Sequence, residues 1–487
     1  MHISQFFKYS LFPLWGNKKK SNKKKSGGDC VEKSLLQNSE QIISKNDDFL
    51  ALQKEVKNLK KAADAHAKML ANFSNLSIKR ATLLFKDAEF ARAEEILRCV
   101  DEVLPEERRH LTTYGNSLAS QDLFQEAEVI FRRQISLEPE NNTPVKRLAD
   151  MLAGQGRHSE AADVLEKFTD STRPDSNIRR RIQTHRNLAG MPNAEISAKR
   201  DEALRIHASA PPLSKAQEKI LTSLVKTGIA VTSFEELFSE KHLWDLADVE
   251  FRRFAEDDGV KKLSTHISSA LDFKDDPELS KLFKPSVINY KNFFGNLTTA
   301  HPVVKIYSSE EILGIANAYN GMASKIRNMH LWINPPLHSE NINGRKGSQL
   351  WHRDQEDSKI LKCFIYFSDV DERSGATEYA INTAVGSAGL KDRVLPYPCT
   401  TGYPMEKSFY SRVPSEDFVR ADGKKGTIVF IDTNGFHCGG FVKEISRYIA
   451  MCTYLRPVSP YVDTNSKVDA SDGLADEYTA ISCYGLS

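Results

Sequence analysis

Three residues in two short segments have the types and spacing to do chemistry together. His352 and Asp354 stand two apart in Trp351-His352-Arg353-Asp354, and His437 follows 83 residues after Asp354 in Phe436-His437-Cys438. On an extended segment, residues i and i+2 project to one face. The His-x-Asp pair therefore offers an imidazole nitrogen and a carboxylate oxygen to the same point. A second imidazole completes three ligands on one face of an ion and leaves the remaining positions open, a donor set suited to Fe(II). Arg447 lies ten residues past His437. Its guanidinium is a planar two-pronged donor that matches a carboxylate, which makes it a candidate anchor for the far carboxylate of a 2-oxoglutarate cosubstrate.

The chain has thirteen histidines, and His352-Arg353-Asp354 is the one His-x-Asp among them. Two His-x-Glu segments compete with it. His158-Ser159-Glu160 falls in a helical stretch, where i and i+2 diverge. His338-Ser339-Glu340, in a loop ahead of the strand region, stays open as an alternative first ligand. His437 lies between Gly435 and the pair Gly439-Gly440, which lets the backbone bring the ring close to an ion. Cys438 is read as packing, because neighbours on a strand face opposite ways. A carboxylate as third protein ligand also argues against halogenation, which needs that position for halide.

Positioning such a set requires strands. Residues 329–334, 362–367, 426–432 and 447–455 are β-branched and aromatic runs bounded by Gly, Pro, Asn and Asp. Residues 221–231 read as a helix running into a short strand. Short strands at irregular spacing behind a helical preface predict a jelly-roll sandwich. The stretch 386–425, with Pro396, Pro398, Gly402 and Pro404, is either a lid over the site or a solvated excursion. Trp332, Tyr366, Tyr379, Tyr403 and Tyr410 are read as mouth-lining or core aromatics.

Over roughly 215–460 these residues resemble the phytanoyl-CoA dioxygenase-like Fe(II)/2-oxoglutarate oxygenases. The resemblance rests on Trp351-His352-Arg353-Asp354, the strand at 361–367, the Ser374-Gly375 turn, the strand at 426–432, His437 and Arg447-Tyr448. It implies a double-stranded β-helix whose mouth holds iron. It also implies His352, Asp354 and His437 as the metal ligands and catalytic centre, with Arg447 binding 2-oxoglutarate. The chain departs from the family pattern at Arg373–Glu378 and at Gly439, where a serine often assists the cosubstrate.

The amino-terminal half has a different texture. Ala93, Ala127 and Ala161 are 34 residues apart, Pro105 and Pro139 each follow their alanine by twelve, and Gly115 precedes Ala127 by twelve. A 34-residue period with small residues at the helix crossing resembles tetratricopeptide repeats. Small alanines let antiparallel helices approach, while Leu97, Phe131 and Leu165 fill the layer one turn later. About three degenerate repeats are expected over 74–172, with 173–208 as a further helical cap or linker. Upstream, Phe49, Leu52, Val56, Leu59, Ala63, His66, Leu70 and Phe73 form a heptad seam. It is either a short coiled coil or a face packed on the helices that follow, and the weak Ala63 and His66 positions favour the second.

The expected organisation is thus multidomain α plus β. It comprises a basic tail over 1–35, a helix with a heptad seam over 36–73, helical hairpin repeats over 74–208, and an oxygenase-like double-stranded β-helix with flanking helices over 209–487. At 487 residues the chain is too long for one core. A net charge of +2 gives no global field for nucleic acid, so no specific nucleic-acid binding is expected. The seven cysteines are scattered and never form C-x-x-C, which fits a reducing, cytoplasmic setting. The apolar stretch 1–15 is interrupted by Lys8 and Pro13, and its charges follow rather than precede it, the wrong order for a secretory signal. Lys18–Lys20 and Lys23–Lys25 make this segment either a solvated tail or a weak contact to an anionic membrane surface.

The function expected is an Fe(II)- and 2-oxoglutarate-dependent dioxygenase that hydroxylates a small-molecule or lipid-like substrate with O₂, its repeats binding a protein partner. Two alternatives stay open. One is a protein hydroxylase whose repeats present a polypeptide, and the other is a repeat adaptor with an inactive barrel.

Overall fold

The computed structural model describes residues 31–171, 176–190, 194–270, 287–337, 347–354, 356–384, 409–410, 412–461 and 482–483. His338, Tyr403, the lysines at 18–25 and most of the stretch 386–425 lie outside the described residues. Among the described residues no helix is long and apolar enough to cross a membrane.

Helix α1 (Val31–Lys86) starts inside the segment expected to be tail and runs past residue 73 into the next region without a break. Its sequence explains this: no Gly or Pro interrupts 31–86, and Ala, Leu, Lys, Glu and Gln dominate it. Along α1, Leu52, Val56, Leu59, Ala63 and His66 are exposed.

From residue 76 onward, sequence-adjacent helices pack in turn: α2 (Phe90–Val103), α3 (Leu111–Ala119), α4 (Phe124–Leu137), α5 (Asn142–Gly154), α6 (His158–Ser171) and α7 (Ser176–Leu188). Ala93, Ala127 and Ala161 are fully buried one turn into α2, α4 and α6, and Leu97, Phe131 and Leu165 fill one continuous core. A Cβ at Gly115 would sit 2.6 Å from the Phe131 ring, so α3 and α4 meet closely only because that position lacks a side chain. Pro105 and Pro139 stand just past α2 and α4, where a helix cannot continue through them. Next, α8 (Ala194–Ala208) sets Ile196, Ala203 and Ile206 against Met322, Ala323 and Val458, and Asn187 donates to the Val458 carbonyl at 2.9 Å.

After α9 (Lys215–Thr227) come β1 (Ile229–Ser233), α10 (Phe234–Leu237), α11 (His242–Glu256), α12 (Asp258–Ser269) and β2 (Ile288–Asn289). These are followed by α13 (Lys291–Phe294), α14 (Pro302–Tyr307), α15 (Glu310–Asn320) and β3 (Lys325–Asn334). The remaining strands are β4 (Leu361–Tyr366), β5 (Glu378–Ala380), β6 (Phe418–Arg420), β7 (Thr427–Asp432), β8 (His437–Cys438) and β9 (Arg447–Leu455).

They form two antiparallel sheets, one in the order β1-β7-β4-β9-β3-β2 and one in the order β6-β5-β8. The outer face of the larger sheet (Leu331, Ile333, Cys363, Ile365, Phe430, Cys452, Tyr454) packs on Phe251, Phe254, Val304, Tyr307 and Ile315 of the helices. Its inner face (Tyr366, Val429, Ile431, Ile449) packs on Tyr379 of the smaller sheet. Covered on both faces, β7 reads Thr-Ile-Val-Phe-Ile-Asp without polar alternation. Tyr366 and Tyr379 are therefore core residues, with hydroxyls donating to the Ala421 and Asp432 carbonyls at 2.7 and 3.1 Å.

Two histidines outside the sheets are buried in the neutral form. Burial, helped by the neighbouring Arg181, pushes His185 down to about 3, and burial pushes His301 down to about 4. The unfolded chain then binds more protons than the folded one below pH 6.5, so stability falls as pH drops through that value towards 4. The metal-free protein is expected to lose about 2 kcal/mol per histidine between pH 7.5 and 5. Urea unfolding at the two pH values measures this, and His185→Gln should flatten the dependence. An equal slope in wild type and variant would contradict a buried neutral His185.

Candidate metal centre

His352 and His437 are held by each other's backbone. The His352 N–H donates to the His437 carbonyl at 3.0 Å, and the His437 N–H returns the bond at 2.9 Å, an antiparallel bridge that sets the ring centroids 4.2 Å apart. The Asp354 N–H donates to Thr433 O at 2.8 Å, which ties the second ligand segment to the turn leading into β8. Between the two ligands, Arg353 points the other way. Its guanidinium donates to the Asn434 carbonyl, to Asn434 Oδ1 at 2.9 Å and to the Thr383 carbonyl at 3.2 Å, clamping the turn in front of His437. A Cβ at Gly435 would fall 2.1 Å from the Tyr379 hydroxyl, so this turn reaches its place only with glycine there.

The ligand atoms converge. His352 Nε2 lies 3.9 Å from Asp354 Oδ1, and His437 Nε2 lies 3.8 Å from Asp354 Oδ2. One ligand atom from each of the three residues falls within 4.8 Å of the other two. Ligands about 2.1 Å from a shared ion stand roughly 3–4 Å apart, so a bound ion would draw these atoms only slightly inward. Both rings also have the right tautomer. His352 Nδ1 donates to the Leu350 carbonyl at 2.8 Å and His437 Nδ1 to the Gly435 carbonyl at 3.0 Å, which leaves each Nε2 lone pair facing the carboxylate. Burial, with His352 beside it, pushes His437 down to about 3, so it is neutral near pH 7. Although burial opposes ionisation of Asp354, the Lys362 ammonium, with His437 and His352, holds that carboxyl well below the usual carboxylate range. The donor set thus fits a divalent first-row metal.

Lys362 is a component that the sequence does not single out. Its Nζ lies 2.5 Å from Asp354 Oδ2. It projects from β4 on the inner face, opposite Ile431 on one side and Thr453 on the other. Period-two alternation places Lys362, Phe364 and Tyr366 on one face, but only the tertiary contact shows that this face meets the ligands.

Arg447 stands on the same inner face at the other end of β9, opposite Asn334. It donates to the Gly375 carbonyl and, at 3.3 Å through Nε and through Nη2, to Asn334 Oδ1. Three of the five guanidinium N–H groups are thereby occupied, leaving two for a ligand. Burial pushes Arg447 down to about 10, so it keeps its charge at neutral pH. Gly375 in turn abuts Gly440, three residues past His437, which puts the Arg447 contact beside the strand carrying the third ligand.

Gly375 has φ +74°, and a Cβ there would meet the Phe441 backbone at 2.6 Å. Gly375→Ala is expected to cost about 2 kcal/mol or more by displacing the Phe441 backbone and the carbonyl that holds Arg447. Thermal unfolding checks this, and an unshifted midpoint would contradict this packing.

Cys438 is buried with Trp351, Phe409, Val413 and Phe436 on the far side of β8, away from the ligand cluster. The described end of the stretch 386–425 also joins this cluster, and Tyr410 accepts from Trp351 Nε1 at 2.9 Å. That part packs behind the ligands rather than arching over them. Trp332 stacks on His330, ring centroids 4.9 Å apart, on the inner face of β3. His158 lies in α6 against His185 and is not a member of the metal-ligand group found among the described residues.

No protein-family model and no curated protein matches the chain. Several solved structures do. One is the non-haem α-ketoglutarate-dependent epimerase SnoN from nogalamycin biosynthesis, at 13% identity over 54% of this chain and 92% of that one, with a TM-score of 0.31. A second is EctD from S. alaskensis with bound Fe, at 14% identity over 52% and 81%, with a TM-score of 0.32. A third is AviO1 from Streptomyces viridochromogenes Tue57, at 15% identity over 51% and 99%, with a TM-score of 0.32. At such identities and scores no residue role is carried across.

Proposed function

We propose that the chain is an Fe(II)- and 2-oxoglutarate-dependent dioxygenase that hydroxylates a small-molecule or lipid-like substrate. On this reading the two sheets are a double-stranded β-helix of the phytanoyl-CoA dioxygenase-like kind, and α2 to α7 are degenerate tetratricopeptide-like repeats. The observation that carries the proposal is the convergence of His352, Asp354 and His437 within 4.8 Å, with both Nδ1 atoms turned to backbone carbonyls and both Nε2 atoms towards Asp354.

His352, Asp354 and His437 would hold the metal on one face. Fe(II) with 2-oxoglutarate and O₂ would supply the chemistry: one oxygen atom goes to succinate as 2-oxoglutarate loses CO₂, and the other goes into a substrate C–H bond. The protein's own part is placement and charge. Arg447, with two donors left, would take the far carboxylate of 2-oxoglutarate in a half-buried, charge-assisted pair. Lys362 orients Asp354 by occupying one carboxylate oxygen, a supporting partner of the kind that fixes metal ligands. Trp332, His330, Met451 and Asn328 share the inner face between these two ends, and on this reading they would face the substrate.

The test is direct: purified protein with Fe(II), O₂ and 2-oxoglutarate should release succinate above a metal-free control. Iron-loaded protein that yields none would leave the adaptor reading in place. The protein-hydroxylase alternative has one contact in its favour. Arg412, next to the Phe409–Tyr410 cluster behind the ligands, donates to Asp122 at 3.1 Å and to the Ser120 carbonyl at 2.9 Å in the turn between α3 and α4. Substrate-trapping with and without the helical region separates the two.

A further inference from the structure

The segment of α1 from residue 50 to 69 is a helix exposed on every side. A helix of this length without tertiary packing is marginal in water, because most helical stability comes from burying an apolar face. Yet Leu52, Val56 and Leu59 are 57%, 49% and 63% exposed. They belong to a 3-4 spacing maintained from Phe49 to Phe73. Written as a heptad, Phe49, Val56, Ala63 and Leu70 fall at a, and Leu52, Leu59, His66 and Phe73 fall at d. A β-branched Val at a with Leu at d is the combination that favours two strands.

The flanking charges choose the orientation. Glu55 falls at g and Lys60 at e of the following heptad. In a parallel, in-register pair, each Glu55 faces Lys60 of the other helix, twice by symmetry. In an antiparallel pair g faces g and e faces e. Glu55 would then meet only Asp48, Glu55, Ala62 or Met69, and Lys60 only Gln53, Lys60, Ala67 or Ser74, with no opposite charge in either set. A polar residue at one core position, here His66 at d, also fixes register at a cost in stability.

We propose that the occupant of this seam is a second copy of the chain, and that residues 49–73 form a parallel, in-register, two-stranded coiled coil making the protein a dimer. The pairing is isologous and closed, as expected for a C2 assembly. Ala63 and His66 are the weak layers, Leu70 and Phe73 are already half-buried, and the exposed Leu52–Leu59 stretch carries the association. This holds whether or not the metal centre is catalytic.

The test uses the full chain. Sedimentation equilibrium at micromolar concentration should give twice the 54.8 kDa chain mass. Val56→Glu with Leu59→Glu should give the single-chain mass, with the near-ultraviolet spectrum of the remaining domains unchanged. Ala63→Leu fills a weak layer and should tighten the dimer at least tenfold. Val56→Cys, mildly oxidised, should form a dimer crosslink that wild type treated identically does not, because only parallel in-register helices bring two a positions face to face. A monomeric wild type, a dimer that survives the double substitution, a trimer, or a Val56→Cys variant that dimerises without crosslinking would each overturn the proposal.

Discussion

His352→Ala or Asp354→Ala is expected to abolish turnover of 2-oxoglutarate, with a loss of at least ~10³-fold. Losing an outer partner of a metal ligand already costs about 10–100-fold, and removing one of three ligands must cost more. The two variants should differ in an informative way. Asp354→Ala removes the negative charge that Lys362 pairs with at 2.5 Å, leaving an ammonium facing two imidazoles and repelling a divalent ion. His352→Ala removes one donor but keeps the Asp354–Lys362 pair and the backbone bridge to His437. Residual metal binding, measured by equilibrium titration, should therefore be weaker in the aspartate variant. Turnover near the wild-type level in the His352 variant would move the first ligand elsewhere, with His338 the next candidate.

Arg447→Ala is expected to raise the KM for 2-oxoglutarate by about 30-fold or more while metal binding stays near normal. Truncating one partner of a buried charge pair costs about 2–5 kcal/mol, and a factor of ten corresponds to about 1.4 kcal/mol. Arg447→Lys keeps the charge but not the two-pronged geometry, and it gives up donors to the Gly375 carbonyl and Asn334. It should fall between wild type and alanine. Steady-state kinetics over a range of 2-oxoglutarate concentrations, with metal affinity measured separately, distinguishes this role from a structural one. A variant whose loss lies wholly in kcat, with KM unchanged, would remove Arg447 from the cosubstrate site.

Much of this arrangement is legible from local pattern, and the rest is not, for physical reasons. The strands β4, β7 and β9 are apolar runs of six to nine residues, rich in β-branched and aromatic side chains, so their positions follow from sequence to within a residue or so. In contrast, β2, β5, β6 and β8 have two or three residues each, too few for any alternation to register. His437, flanked by glycines, opens one of these short strands. The spacing of His352 and Asp354 says that both face one way. What joins them to His437 is a backbone bridge between segments far apart in the chain, which no local pattern encodes. Lys362 and Asn334 are hidden for a related reason: a polar residue on a strand reads as solvent-facing until the opposing sheet is in place.

The seam on α1 is legible only as a pattern: Leu52, Val56 and Leu59 are exposed, while Ala63 and His66 are weak core positions. Heptad spacing specifies that a face must be buried and says little about what buries it.

Anaerobic calorimetric titration of the metal-free protein with Fe(II) tests the metal centre itself. One ion per chain should bind, and His437→Ala should remove that binding while leaving the unfolding midpoint of the metal-free protein close to wild type. Wild type that takes up no iron, or a His437 variant that binds it equally well, would contradict a centre built from His352, Asp354 and His437.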